Sequence, residues 1–173
     1  MIAHCQEVLD CSGTPLNSLD IFKLKTTPAF KKSGTNSATI INVIPSPNQS
    51  TNIQDIAFDG EYLWVEGYDE YFIHQISPVD GTIIKSIPTN VQKPYGLTFD
   101  GNNLWLADND NKIIQKIDTL DGTVLLSFPT PADTSQSYPE GLAWDGNDLW
   151  HNDIKNSSGS GQIDSLFQIG TNG

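Results

Sequence analysis

Three residues near the end of the sequence have side chains suited to acid–base or metal chemistry: Glu140, His151 and Asp153. A histidine beside two carboxylates can act as a general base or bind a divalent cation. The alternative is a solvent-exposed polar loop with no chemical role. The choice between them depends on whether the fold brings the three side chains together.

A second group is the run Asp108-Asn109-Asp110-Asn111, in which every side chain carries oxygen. Such runs occur in calcium-binding loops, but the rest of the EF-hand pattern is absent. A hairpin turn rich in Asp and Asn explains the run equally well. The sequence therefore predicts no cofactor, with Ca²⁺ or Mg²⁺ at Asp108 and Asp110 as the open alternative.

The elements that must position these residues belong to an internal repeat, and a repeat decides the fold before any local pattern does. Three segments align without gaps: IAFDGEYLWVEG from Ile56, LTFDGNNLWLAD from Leu97 and LAWDGNDLWHND from Leu142. HQISPVDGTIIKSIP from His74 and QKIDTLDGTVLLSFP from Gln115 form a second pair, 41 residues apart. Two landmarks with the same period indicate a structural repeat of about 41 residues.

Each repeat predicts four short strands. In the middle repeat they are expected over 96–99, 103–107, 112–118 and 123–128. An Asp-Gly turn closes the first and last hairpins, and a proline follows the fourth strand because proline cannot donate to a sheet ladder. Four-stranded units of this length are typical of β-propeller blades. The predicted fold class is thus all-β, a β-propeller of roughly three to four blades.

The two ends of the repeat array lack some of the strands of a full blade, so the sequence predicts incomplete blades there. We expect a partial blade over 21–52, blades over 53–93 and 94–137, and an incomplete blade over 138–173. Residues 1–20 form an N-terminal segment, in which 2–10 can supply one further strand. The partial blade contains third and fourth strands over 21–24 and 39–44, and the last blade contains a third strand over 165–169. These missing strands predict an open arc or part of a larger propeller, whose uncovered apolar faces can self-associate.

The unit GL-T/A-F/W-DG-x-x-LW followed by KID-x-x-DGTV-x-x-SFP resembles the propellers of the YVTN, NHL and streptogramin-lyase-like group. Glutaminyl-peptide cyclotransferase propellers have similar blades. The resemblance covers 53–173 well and 21–52 loosely, and it implies a fold more than a function. Streptogramin lyases use His and Glu with Mg²⁺ at the channel mouth, but their Gly-Pro-Asp-Gly and Trp-Phe-Thr-Glu motifs are absent here, so their catalytic residues are not carried over.

Candidate ligand-binding residues lie where the repeats differ from one another while their neighbours stay fixed. In propellers, the loops before the first strand and after the second line one face around the channel. The candidates ahead of the first strand are Gln54, Tyr95 and Glu140. Those after the Leu-Trp pair are Glu66, Asp108, His151 and Asp153.

Composition excludes some functions and leaves the compartment open. The net charge is −12 and all nine cationic residues are Lys, which argues against nucleic-acid binding. No apolar run is long enough for a membrane helix. Cys5 and Cys11 can form a disulfide or remain free thiols. We expect a cytoplasmic protein if Met1 is the native start, and a secreted or cell-surface one if the chain is a fragment.

Three functions remain after these exclusions. The sequence favours a non-enzymatic binding or interaction module that presents propeller loops to a protein, peptide or carbohydrate. The second is a lyase or cyclotransferase-like enzyme with its site at the channel mouth. The third is a structural segment of a large surface protein.

Overall fold

The computed structural model describes residues 38–47, 52–68, 70–131, 137–155 and 165–171. The chain divides into two compact units, Met1–Ile44 and Pro45–Gly173. The strands considered over 2–10 and 21–24 lie outside the described residues, as do Cys5 and Cys11, whose state as a disulfide or as free thiols the sequence left open.

The first unit is described over residues 38–44 only, and these form no strand. The prediction of a strand over 39–44 was therefore wrong. An alternating apolar pattern makes a strand only when a partner completes its hydrogen-bond ladder, and none of the observed ladders includes these residues. The side chain of Ile41 is accordingly almost fully exposed.

The second unit consists of three antiparallel sheets, with no α-helix in its described residues. The first sheet contains β1 (Ile53–Phe58), β2 (Leu63–Gly67), β3 (Phe72–Ile76) and β4 (Ile83–Pro88). The second contains β5 (Pro94–Phe99), β6 (Leu104–Asp108), β7 (Ile113–Ile117) and β8 (Val124–Pro129). The third contains β9 (Ser137–Trp144), β10 (Leu149–Lys155) and β11 (Ser165–Ile169). Each sheet is a meander, and β11 coincides with the strand predicted over 165–169.

In each sheet, the aspartate of the Asp-Gly turn between the first and second strands stabilises that turn by hydrogen bonds. We call this arrangement the Asp–Trp latch. In the first sheet, Asp59 Oδ1 accepts hydrogen bonds from the backbone N–H groups of Glu61 and Tyr62, at 2.9 and 2.7 Å. Its Oδ2 accepts the indole N–H of Trp64 at 2.7 Å. The following glycine, Gly60, has a φ of 103°, which residues with a Cβ rarely adopt. Asp100 with Trp105 and Asp145 with Trp150 repeat the latch, with indole hydrogen bonds of 2.9 and 2.7 Å.

The core lies between neighbouring sheets. A buried cluster joins Trp64, Ile73 and Ile87 of the first sheet to Leu97 and Leu104 of the second. A second cluster joins Trp105, Ile114 and Phe128 of the second sheet to Leu149 and Trp144 of the third. Trp64 and Trp105, which occupy the same position in successive repeats, thus both pack between neighbouring blades.

The innermost strands of the three sheets lie side by side, with β1 against β5 and β5 against β9. The Asp55 carboxylate on β1 accepts the backbone N–H of Leu97 on β5 at 2.7 Å. The sheets do not close into a ring, so the fold is an open arrangement of propeller blades. Within the described ranges, no helix is long and apolar enough to cross a membrane.

Candidate functional site

The candidate residues lie at the same end of every sheet, because the start of each innermost strand pairs with the end of the second strand of the same sheet. Ile53 pairs with Gly67, Pro94 with Asp108, and Pro139 with Asp153. The two sets of positions aligned from the sequence therefore lie next to each other in space, at the same end of each blade.

A β-bulge interrupts the pairing at this end of all three innermost strands. Gln54 is the unpaired residue of β1, and Tyr95 is the unpaired residue of β5. In the third sheet Glu140 and Gly141 of β9 together oppose Asn152 of β10, whose Oδ1 accepts the backbone N–H of Gly141 at 2.9 Å. Bulges re-aim side chains and are frequent beside binding sites. Each bulge contains one residue with a polar side chain: Gln54, Tyr95 and Glu140. We call these three residues the bulge row, and all three are partly exposed.

Close backbone contact brings together the strands that carry two members of the bulge row, Tyr95 and Glu140. A Cβ on Gly96, the residue after Tyr95, would collide with the backbone carbonyl oxygen of Glu140 on the next strand. The absence of a side chain at Gly96 thus allows β5 and β9 to approach each other at the bulge. Gln54 has its own local partner, since its Nε2 donates to Asn52 Oδ1 at 2.7 Å.

Glu66 lies in the interface between the first and second sheets and is not accessible to a ligand. Its side chain is fully buried, and neither carboxylate oxygen has a hydrogen-bond partner among the described residues. Burial raises the pKa of the Glu66 carboxyl well above its ordinary value of 4.5, and the nearby charge of Asp55 raises it further. Burial therefore favours the protonated, uncharged form of the Glu66 carboxyl.

His151 and Asp153 form a buried pair on β10. His151 Nε2 lies 2.6 Å from Asp153 Oδ1, and both side chains are shielded from solvent. The imidazole stacks on Phe167 with ring centroids 5.9 Å apart. Neither His151 Nδ1 nor Asp153 Oδ2 has a partner within the described part of the chain.

The structure corrects one interpretation of this pair. The sequence left open an exposed polar loop at 151 and 153, but both residues lie inside a strand and are buried, because alternate residues of β10 face the second sheet. Glu140 lies on the neighbouring strand β9, beside the Pro139 that pairs with Asp153.

Asp108 and Asp110, the alternative metal ligands, have protein partners. Asp108 accepts hydrogen bonds from the backbone N–H and the side-chain amide of Asn111, at 3.0 and 2.7 Å. Asp110 forms a partly exposed ion pair with Lys93 at 2.8 Å. No group of three or more metal-ligating side chains occurs in the described ranges.

Sequence reasoning missed the bulges and the role of Asp55. The bulges are differences of register between two strands, and no single residue type marks them. Asp55 does carry a signal, because it stands where the other repeats have Gly96 and Gly141. A carboxylate at a position otherwise occupied by glycine indicates a side chain that reaches across to the next blade.

Comparison with known proteins supports the fold. No protein-family model matches the chain, and no curated protein matches it. Among solved structures, a luciferin-regenerating enzyme is similar with a TM-score of 0.53 and 17% identity, over 72% of this chain and 47% of that one. The resemblance to propellers stated from the sequence is thereby confirmed for the fold alone.

Two further structures are similar at lower TM-score. Myxococcus xanthus glutaminyl cyclase has a TM-score of 0.49 and 13% identity, over 61% of this chain and 48% of that one. A catalytically inactive virginiamycin B lyase from Staphylococcus aureus, solved with quinupristin, has a TM-score of 0.49 and 20% identity, over 72% and 43%. The chain spans less than half the length of each of these proteins.

Proposed function

We propose that the protein is a non-enzymatic binding module and that the bulge row (Gln54, Tyr95 and Glu140) contacts its ligand. One observation carries the proposal: three partly exposed side chains occupy bulges at the same end of adjacent strands. His151 and Asp153, which are suited to acid–base chemistry, are by contrast buried.

The chemistry of the bulge row suits a polar ligand. A tyrosine ring provides rigid contact area at low conformational cost, and its hydroxyl can donate or accept a hydrogen bond. Glu140 accepts hydrogen bonds from hydroxyl or amine groups, and the net charge of −12 favours cationic partners. The supported ligand classes are a protein, a peptide or a carbohydrate.

The test is binding of the labelled protein to a peptide array and a glycan array. We expect binding to at least one class, weakened about tenfold or more by Tyr95→Ala and by Glu140→Gln, since the loss of one central contact costs about 1.4 kcal/mol or more. Tyr62→Ala is the matched control, because Tyr62 lies in the hairpin turn at the opposite end of the first sheet. Binding that is equal in Tyr95→Ala and the wild type would contradict the proposal.

A propeller enzyme with its site at the channel mouth is the second candidate. It is favoured by the His151–Asp153 pair, because a carboxylate that orients a histidine is a common arrangement for a general base. Its test is melting in the presence of Ca²⁺, Mg²⁺ or Mn²⁺, together with the effect of His151→Ala on any detected turnover. Unchanged melting and no effect of the substitution would exclude this candidate.

A further inference from the structure

The first sheet carries a serine, a histidine and a glutamate that lie next to one another in that order. Ser86 Oγ on β4 lies 2.7 Å from His74 Nδ1 on β3. His74 Nε2 in turn lies 3.4 Å from Glu70 Oε2, in the loop before β3. These residue types, in this order, can act as a nucleophile, a general base and the carboxylate that orients the base.

Strand pairing places the serine opposite the histidine. Ser86 and His74 are direct partners, and they face away from the second sheet because the preceding Ile73 packs in the core towards it. The neighbouring pair Phe72–Pro88 cannot be hydrogen-bonded through Pro88, which has no N–H. Because hydrogen-bonded and non-hydrogen-bonded pairs alternate, His74–Ser86 is also non-hydrogen-bonded, and the side chains of such pairs lie close together.

Two neighbours of the imidazole indicate where its proton lies. A carboxylate can only accept, so Nε2, which faces Glu70, carries the proton and Nδ1 accepts the hydroxyl of Ser86. Glu70 Oε2 is shielded from solvent and has no hydrogen-bond partner among the residues that the structure describes. A Cβ on Gly67 would collide with this carboxyl, so the glycine leaves room for it. A separation of 3.4 Å is longer than a hydrogen bond, and such contacts often tighten when substrate binds.

The serine is accessible, and its backbone N–H points outward. Ser86 is exposed, whereas His74 is buried. In a non-hydrogen-bonded pair the N–H of Ser86 points away from β3, and β4 is the outermost described strand of its sheet. The backbone N–H of the nucleophile is one of the donors that stabilise the oxyanion of acyl transfer in serine proteases. Phe72, which is 44% exposed, stacks on His74 and provides an apolar contact beside the serine.

The second sheet has the serine without this activation. Ser127 lies opposite Gln115, at the register that Ser86 and His74 occupy in the first sheet. An amide has no basic nitrogen to accept a proton. Asn111 stands at the position of Glu70. The combination of nucleophile, base and carboxylate is therefore specific to the first sheet among these two.

We propose that Ser86 is an activated nucleophile that accepts the acyl group of an ester with an apolar acyl chain. Its Oγ attacks the carbonyl carbon of the ester and forms a bond to it, while the hydroxyl proton passes to His74 Nδ1. The bond from this carbon to the alcohol oxygen breaks, and the alcohol leaves with the proton. The acyl group stays on Ser86. This covalent modification goes beyond the proposed ligand binding and does not depend on the bulge row, which lies on the innermost strands.

The experiment mixes the protein with para-nitrophenyl butyrate and follows the release of para-nitrophenolate above that in buffer, with folding checked by circular dichroism. We expect Ser86→Ala and His74→Gln to lower the acylation rate about 100-fold or more, the usual contribution of a general base. Ser127→Ala is the matched control and reacts like the wild type. Because Ser86 is exposed, Ser86→Ala retains the fold and decides the test even where His74→Gln does not fold.

Two further variants test the supporting residues. Glu70→Gln should lower the maximal acylation rate with little change in the ester concentration that gives half of it, because Glu70 orients the base and does not touch the ester. Phe72→Ala should lower the ratio of the rates with para-nitrophenyl butyrate and para-nitrophenyl acetate, because the longer acyl chain loses its apolar contact.

Three outcomes would overturn the proposal. A wild type that releases para-nitrophenolate no faster than buffer excludes an activated serine. Equal rates for Ser86→Ala and Ser127→Ala show that other groups, such as lysine amines, react with the ester. An unchanged rate ratio in Phe72→Ala excludes the preference for an apolar acyl chain.

Discussion

At the residue scale, the main feature is that several polar side chains capable of acid–base chemistry are buried between the sheets. Glu66 lies where the second repeat has Ala107, and both are fully buried against the next sheet. His151 lies where the other repeats have Val65 and Leu106. Burying a polar group without a partner destabilises a protein by about 1–3 kcal/mol. Glu66 in one blade interface and His151 in the other therefore make the two interfaces chemically different from each other.

Glu66 makes stability depend on pH. Because burial raises the pKa of Glu66 in the folded state, the folded protein holds a proton that the unfolded chain releases above about pH 4.5. Its contribution to stability is complete below that pH and falls as pH rises towards the folded-state pKa. Glu66→Gln removes this titration. We expect the variant to melt close to the wild type at about pH 4 and several degrees higher at about pH 8.

The measurement is the melting temperature of wild type and Glu66→Gln across this pH range. Glu61→Gln is the control, because Glu61 lies on the exposed turn between β1 and β2 and should not alter the pH profile. If the difference in melting temperature between Glu66→Gln and the wild type stayed constant with pH, this would contradict a raised pKa of Glu66 in the folded protein.

At the element scale, the innermost strands tolerate fewer substitutions than the hairpins around them, because their backbones pack closely together. β5 approaches β9 so closely that Gly96 cannot be replaced without a collision with the backbone of Glu140. Backbone cannot yield as a flexible side chain can. The position of the bulge row therefore depends on a residue that has no functional group of its own.

Gly96→Ala should destabilise the protein strongly. We expect a loss of about 1–3 kcal/mol in the free energy of unfolding, because overpacking at a buried contact forces the backbone to shift. Gly170→Ala is the matched control, since no atom lies near the added methyl group and its backbone is not left-handed. Urea denaturation of both variants provides the comparison. Equal urea midpoints for Gly96→Ala and Gly170→Ala would show that β5 and β9 can move apart without loss of stability.

The elements were largely predictable from the sequence, and the accessibility of the site was not. The Asp-Gly turns and the strand at 165–169 follow from local pattern and turn chemistry, which a single sequence contains. Asp153 was expected near His151, but its burial depends on which face of β10 meets the second sheet. The failed strand over 39–44 has the same cause, since pairing partners are not encoded in the segment itself.

At the scale of the whole molecule, charge opposes any self-association through the exposed apolar side chains of the third sheet, Trp150 and Leu166. Each copy carries a net charge of −12, so two copies repel each other at low ionic strength. Salt screens this repulsion over a Debye length of about 10 Å at about 0.1 M. Assembly should therefore strengthen as salt is added.

We expect the dissociation constant between copies to fall severalfold between low and moderate sodium chloride, measured by sedimentation velocity. Trp150→Glu is the control and should sediment as a single chain at both salt concentrations. Weaker association at higher salt would indicate that ion pairs, and not the apolar faces, hold the copies together.

The Asp–Trp latch has a consequence for how such a chain folds. The latch joins residues only five positions apart, whereas the Asp55 contact to Leu97 spans 42 positions. The entropy lost on closing a loop grows with its length, so short loops close at the least entropic cost and contacts of low sequence separation form fastest. Each inner hairpin can thus reach its native turn before any neighbouring sheet is present. We therefore expect order to spread from hairpin to sheet and from sheet to sheet along the chain.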